Sequence, residues 1–212
     1  MMVRSVLLMM LLLGGASVAL AAGPREQDSV VSIRVHDYVN IDARQLQQAE
    51  QQVSETYARA GVHLEWRAVA RPNVDDADRR ANTADLSDIT VVVMTQAMSG
   101  RLHLASDVAG YAPITRERGG RVAFVLGDRT RRIALEAGVE PSKVLAGVIT
   151  HELAHLLMPQ RSHSRDGLMR AHWTPSSFRH ADRQDFTKSE RESLRRTVRA
   201  LGGERVRVAD ES

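Results

Sequence analysis

Cysteine is absent from the 212 residues. Its absence excludes disulfides, the covalent bracing on which many small secreted domains depend, and it excludes a lipid anchor attached through a cysteine. Charge of one sign is lacking too. Lys and Arg number 29 against 26 Asp and Glu, a balance that gives no case for a nucleic-acid partner. Internal repeats, low-complexity tracts and interdomain linkers are missing, which leaves one domain. The apolar run near the N-terminus, Val6 to Leu13, is shorter than the ~20 residues that a bilayer span needs, so no stable membrane anchor is expected.

That run has another use. Arg4 supplies a positive start, Val6 to Leu13 an apolar centre and Ala19-Leu20-Ala21 a small-x-small cleavage site, which together read as a secretory signal peptide over residues 1–21. Cleavage near Ala21/Ala22 implies a secreted protein, periplasmic or extracellular. Residues 22–29 read as a flexible lead-in, 30–205 as the single domain and 206–212 as a C-terminal tail. A chain of this size buries roughly 70% of its unfolded surface and needs no staples.

Within the domain, Val31, Ile33 and Val35 alternate with Ser32, Arg34 and His36 as in a half-buried strand; His36 reads as a surface strand residue rather than a ligand. Asp42 with Gln45 makes a capping-box-like start, and Leu46, Ala49, Val53 and Tyr57 recur at helical spacing up to Gly61. Val62, Leu64 and Trp66 alternate again. Strand, helix and strand in that order imply a parallel pair with a right-handed connection. Arg71 to Leu86 has no apolar period and reads as a loop; its Asp75, Asp76 and Asp78 could hold a structural Ca²⁺, although a solvated acidic turn is the simpler reading. Ile89 to Met94, apolar nearly throughout, suits a central strand. His103 falls in an irregular segment and is expected to face solvent. Arg121 to Leu126 suits another strand, and Thr130 to Ala137 a short helix or turn. Further on, His172-Trp173 and His180 lie in loop-like chain. Thr187 with Glu190 caps a helix whose Leu194, Val198 and Leu201 form one apolar stripe and which Gly202-Gly203 should end. The arginines at 191, 195, 196 and 199 read as its solvated face.

The chemistry concentrates in Val144 to Leu157, where an apolar helix contains His151-Glu152-Leu153-Ala154-His155. Pro141 suits its first turn. Two histidines four apart lie one above the other on the same face, so both imidazoles can point at one tetrahedral Zn²⁺. Glu152 lies about 100° round the helix, too far to be a natural ligand but long enough to reach a metal-bound water as general base. Imidazoles facing inward from so apolar a helix are costly unless something satisfies them, and a metal does. A catalytic site usually needs a third protein ligand while its fourth corner stays open. Pro159 makes continuation of the helix unfavourable, Met158 to Ser162 can span a return, and His163 is the nearest histidine able to arrive. Asp166, His172, Glu190 and Glu192 remain as rivals.

Residues 144 to 169 resemble the metzincin zinc peptidases, and among them the matrixins. In that family a third His follows the active-site helix by a turn and a Met-turn passes beneath the metal; His163-Ser164 and Leu168-Met169 look like those two features. The family pattern HExxHxxGxxH is stretched here, since seven residues separate His155 from His163 and Met158 stands at the Gly position. The resemblance implies a zincin-like α/β (α+β) fold, with a mixed twisted sheet, an active-site helix packed on it and a C-terminal helix. It implies one catalytic Zn²⁺ on His151, His155 and His163, with Glu152 as general base and Met169 as an apolar floor under the metal. Ala109-Gly110-Tyr111-Ala112-Pro113 is similar to the Gly-x-Ala stretch near the family's edge strand, which makes Gly110, Tyr111 and Ala112 the place where an extended substrate lies antiparallel. Open N–H and C=O groups on such an edge are what holding a peptide by its backbone requires.

The expected activity is that of a secreted, monomeric zinc metalloendopeptidase acting on a peptide or protein substrate. A cysteine-switch latch is chemically impossible, and no removable inhibitory segment is expected between Ala22 and the first strand. Three other readings stay open: a gluzincin-type peptidase with Glu190 or Glu192 as third ligand, a secreted protein that holds zinc without turnover, and a structural domain with a fortuitous motif.

Overall fold

The structure, a computed structural model, describes residues 30–68, 89–105, 108–113, 120–158, 163–165, 167–180 and 184–210, with the backbone alone at Ala68, Pro175 and over 203–210. The expected signal peptide and lead-in, the expected loop with Asp75, Asp76 and Asp78, and Asp166 lie outside the described residues.

Strand β1 (Val30–Asp37) leads into helix α1 (Ala43–Arg59) and strand β2 (His63–Ala68). Asp42 caps α1 by accepting a hydrogen bond from the Gln45 N–H at 3.1 Å, and Gly61, at φ 78°, turns the chain out of it into β2. β1 and β2 pair in parallel as the alternation predicts. The Trp66 indole N–H donates to Ser54 Oγ at 2.7 Å and ties β2 to α1. β3 (Ile89–Met94) lies between β1 and β5 (Val122–Leu126), parallel to both. The sheet has five strands in the order β2-β1-β3-β5-β4, and β4 (Gly110–Tyr111) is its antiparallel edge. The apolar run expected to be central sits in the middle of the sheet, with Ile89, Val91 and Val93 buried on one face and Thr90 and Val92 half-buried on the other.

Helices cover the sheet. α3 (Gly127–Ala137) leaves β5 without a loop, and α4 (Pro141–Leu157), which carries the HExxH segment, packs against α1, α3 and β5. Every residue from Val144 to Thr150 is buried, as are Glu152, Leu153, Ala154, Leu156 and Leu157. A helix apolar on nearly all sides is stable only when surrounded, and α4 is the element around which the others assemble. Tyr57, fully buried on α1, donates its hydroxyl to the Thr150 carbonyl at 3.0 Å and packs its ring 5.2 Å from Phe186.

Four local expectations are corrected. The segment after β3 is not irregular at its start but forms a short helix, α2 (Gln96–Ser99), and a 3-10 turn over Gly100–Leu102; Thr95 accepts from the Met98 N–H and starts it. α3 begins at Gly127 rather than Thr130, and the Thr130 hydroxyl donates back to the Gly127 carbonyl at 2.8 Å. The chain after His172-Trp173 is not all loop: Thr174 and Ser177 form a capping box that opens α5 (Pro175–Arg179). α6 (Lys188–Asp210) runs through Gly202-Gly203 instead of stopping there. Glycine costs a helix about 1 kcal/mol relative to alanine, and Gly202 keeps φ out of the left-handed region that would have turned the chain. The expected start of α6 is as predicted, with reciprocal Thr187 and Glu190 hydrogen bonds of 2.7 and 3.3 Å. His103 is exposed as expected, and His36 is half-buried on β1. Among the described residues no helix is long and apolar enough to cross a membrane.

The Tyr57 hydroxyl is the polar link between α1 and the middle of α4. Tyr57→Phe should lower the unfolding free energy by about 1 kcal/mol, read as a lower urea midpoint at unchanged slope; an unchanged midpoint would show that the bond is not formed in solution.

Candidate metal centre

His151 and His155 stand one turn apart on α4, and the chain that leaves the helix at Leu157 returns to bring His163 beside them. The three Nε2 atoms form a nearly equilateral triangle, 3.1 Å from His155 to His151 and 3.2 Å from His163 to each. Rings 151 and 163 are almost parallel at 18°, and ring 155 stands edge-on to both.

His151 shows which nitrogen carries its proton. Its Nδ1 lies 2.9 Å from the Leu168 carbonyl oxygen, which can only accept, so Nδ1 holds the hydrogen and Nε2 presents a bare lone pair. Burial lowers the pKa of His151 and outweighs the Leu168 hydrogen bond, which raises it. Burial, followed by the neighbouring His151 and His163, takes His155 down to about 4. Both helix imidazoles are therefore neutral near pH 7, and lone pairs that converge at this distance repel unless a cation is shared among them.

A divalent ion fits that requirement. Zn–N bonds of ~2.0–2.1 Å at tetrahedral angles set ligand nitrogens about 3.3–3.4 Å apart, close to the observed triangle. Three imidazoles suit zinc and leave a fourth corner, the arrangement of catalytic rather than structural sites. Among the described residues this is the one group of three or more His, Asp or Glu side chains that could hold an ion.

Glu152 does not join the triangle. It is buried, its carboxyl is pushed up to about 8 by burial, and it lines the same cleft of about 650 Å³ as the three histidines. Gly110, Tyr111 and Ala112 form part of the cleft wall from the β4 side, and Ile133, Val148, Trp173 and Phe178 give it an apolar side. Met169 is buried in the core directly after Leu168, in a turn that Gly167 makes at φ 79° and that the Ser164 N–H closes on the Met169 carbonyl at 2.7 Å.

Of the four rival ligands, Asp166 lies outside the described residues and the other three are placed elsewhere. Glu190 is buried and accepts the Thr187 N–H at 2.7 Å as the cap of α6, while Glu192 is exposed. His172 is exposed and lines the cleft outside the triangle.

Three contributors escaped the sequence. The Leu168 carbonyl that orients His151 is a backbone group and leaves no signature in residue type. Arg129 donates to the Ala105 and Val108 carbonyls and so pins the chain entering β4; a single arginine on a helix face carries no such message. Trp173 and Phe178, 5.0 Å apart, meet across the first turn of α5, where the sequence reads as loop.

No family model and no curated protein matches the chain. Among solved structures, archaemetzincin from Methanopyrus kandleri is similar over 84% of this chain and 99% of its own, with a TM-score of 0.50 and 18% identity. That likeness establishes the fold: a mixed α/β sheet and helices of the zincin kind.

Zinc content separates ligand from support. His163→Ala should lower zinc affinity by more than the roughly 10–100-fold typical of losing a supporting group, whereas Met169→Leu, nearly equal in volume, should keep one ion per chain. Elemental analysis of the purified variants checks both. Wild-type zinc content in His163→Ala would remove that histidine from the site.

Proposed function

We propose that the chain is a secreted zinc metalloendopeptidase that hydrolyses peptide bonds with Glu152 as general base. The observation that carries this reading is the triangle of His151, His155 and His163 Nε2 atoms opening onto a cleft that also contains a buried carboxylate. His151, His155 and His163 would hold a zinc ion, whose chemistry there would be to lower the pKa of a water toward neutrality and to polarise a substrate carbonyl.

The remaining steps belong to the chain. His151, held by the Leu168 carbonyl, and His155 fix two corners of the site from one rigid helix, and His163 supplies the third. Glu152 takes the proton of the attacking water and delivers it to the leaving amine. Burial alone favours the protonated form of Glu152 near pH 7; a cation held by the three histidines would favour its carboxylate, which in a largely apolar cleft is a stronger base than one in bulk water. Among the described residues β4 is the outer strand, with β5 on one side only; its edge at Gly110, Tyr111 and Ala112 could pair with an extended peptide and hold the scissile bond beside the three histidines. The apolar wall of Ile133, Val148, Trp173 and Phe178 favours an apolar side chain beside that bond.

The name of the structural neighbour belongs to the metzincins, the family that residues 144 to 169 resemble, and this supports the assignment. The matrixin-like subtype rests on His163-Ser164 and Leu168-Met169 alone. Secretion rests on residues 1–21, and the mature chain should begin near Ala22; N-terminal sequencing of exported protein starting well inside the domain would overturn that.

Glu152→Gln should retain zinc and lose about 10²–10⁴-fold in the rate of casein cleavage, and a chelator such as 1,10-phenanthroline should stop the wild type until zinc is restored. A zinc-loaded wild type that cleaves no unfolded protein would leave the protein a zinc-holding binding module.

A further inference from the structure

Gly110 lies where the edge strand crosses α4. Its φ is not in the left-handed region, and it pairs with Val125 in the β4–β5 ladder, so the backbone itself does not demand glycine. The packing does. A β-carbon at this position would stand 2.7 Å from Val148 Cγ1, 2.8 Å from Glu152 Cγ and 3.0 Å from Glu152 Oε1, whereas unbonded carbons settle about 3.5–4.0 Å apart. The room left by the missing side chain is the room that the Glu152 stem occupies.

Little else locates that carboxylate. Glu152 is 6% exposed, and among the described residues its carboxyl takes part in no hydrogen bond or ion pair. Its place follows from its helix position and from what it touches. The strand it touches is firmly anchored: the Leu126 N–H donates to the Ala109 carbonyl at 2.8 Å, Tyr111 stacks on Phe124 at 4.8 Å, and Arg129 grips the Ala105 and Val108 carbonyls. Val148 is β-branched and stiff at χ1 on a helix. With strand and valine both resisting, an added methyl would move the Glu152 side chain, whose rotatable bonds are the softest part of the contact.

We infer that Gly110 is a positioning residue for Glu152: its missing β-carbon sets where the carboxylate stands relative to the three histidines and keeps it in step with the strand edge. The inference rests on the peptidase reading for its consequence in catalysis, but not for the contact itself.

Gly110→Ala in the zinc-loaded, full-length protein tests it with two readouts. The first is affinity for acetohydroxamate, a zinc chelator whose hydroxyl also hydrogen-bonds a carboxylate beside the metal. Zinc should stay at one per chain, acetohydroxamate should bind about 10-fold more weakly, and Gly110→Ala added to Glu152→Gln should bring no further loss, since the two act through one group. The second is casein-peptide hydrolysis, where kcat should fall about 10²-fold, the order expected for misplacing a reacting group by 1 Å, with KM nearly unchanged. If Gly110→Ala does not fold, Gly110→Ala with Val148→Ala relieves the shorter clash while leaving the Glu152 one, and is read in the same way. Wild-type affinity and kcat in the variant, or losses that multiply with those of Glu152→Gln, would overturn the inference. A wild type that binds zinc and hydroxamate but cleaves nothing removes the peptidase reading, while the hydroxamate comparison still decides this one.

Discussion

Burial of a helix that carries two imidazoles and a carboxylate is the constraint from which the rest of this structure follows. α4 is enclosed by α1, α3 and the sheet, and Val144, Leu145, Val148, Ile149, Leu153, Leu156 and Leu157 each gain about 1.5–3 kcal/mol from leaving water. That drive is strong enough to take His151, Glu152 and His155 with it. Polar groups removed from water must find partners or change protonation state, and these do the latter: His155 is pushed down to about 4 and Glu152 up to about 8. Neutral imidazoles with converging lone pairs are the state in which histidine binds a metal. The packing that stabilises the helix thus also prepares its donors.

The chain beyond α4 completes what a single helix cannot. One helical face offers two corners of a tetrahedron, and the third must come from elsewhere. The return brings His163 to the triangle and then, within a few residues, the Leu168 carbonyl to the far nitrogen of His151. The third imidazole and the orienting group therefore arrive on one short stretch, closed by the Ser164 to Met169 hydrogen bond. Arg170 fastens that stretch by donating to the Gly167 carbonyl at 3.1 Å and to Ser177 Oγ at 3.4 Å, which links the turn to α5 and the apolar side of the cleft. Supporting groups of this kind fix ring orientation as firmly as the ligands themselves fix the ion.

On the opposite wall, the two residues of β4 form the edge of a sheet whose other neighbours are all parallel. Such an edge is an aggregation hazard unless it is short, covered or used. Here it is short, and it faces the cleft. Its distance from α4 is set by glycine at 110, so the spacing between the sheet edge and the carboxylate is a steric dimension rather than a hydrogen-bonded one.

Much of this was legible in the residues because it depends on local spacing. Histidines at 151 and 155 share a helix face by the geometry of 3.6 residues per turn; Asp42 and Thr187 mark helix starts by their side-chain oxygens; the apolar run at 89–94 takes the middle of the sheet, flanked by strands on both sides. The resemblance of residues 144 to 169 to a known family added the fold and the approach of His163. What failed were element boundaries: α6 continues through Gly202-Gly203, α3 starts at Gly127, which lies against Val39 and Val93, and a Thr174–Ser177 capping box opens α5 where a loop was expected. The sequence by itself determined which groups can bind a metal and which helix holds them, since both are fixed by spacing along one chain segment. Only the tertiary structure decided that His163 meets the pair at 3.2 Å, that Leu168 orients His151 and that Gly110 abuts Glu152. Those contacts join parts of the chain through backbone atoms, a turn and a missing side chain, and no residue pattern encodes the distance between them.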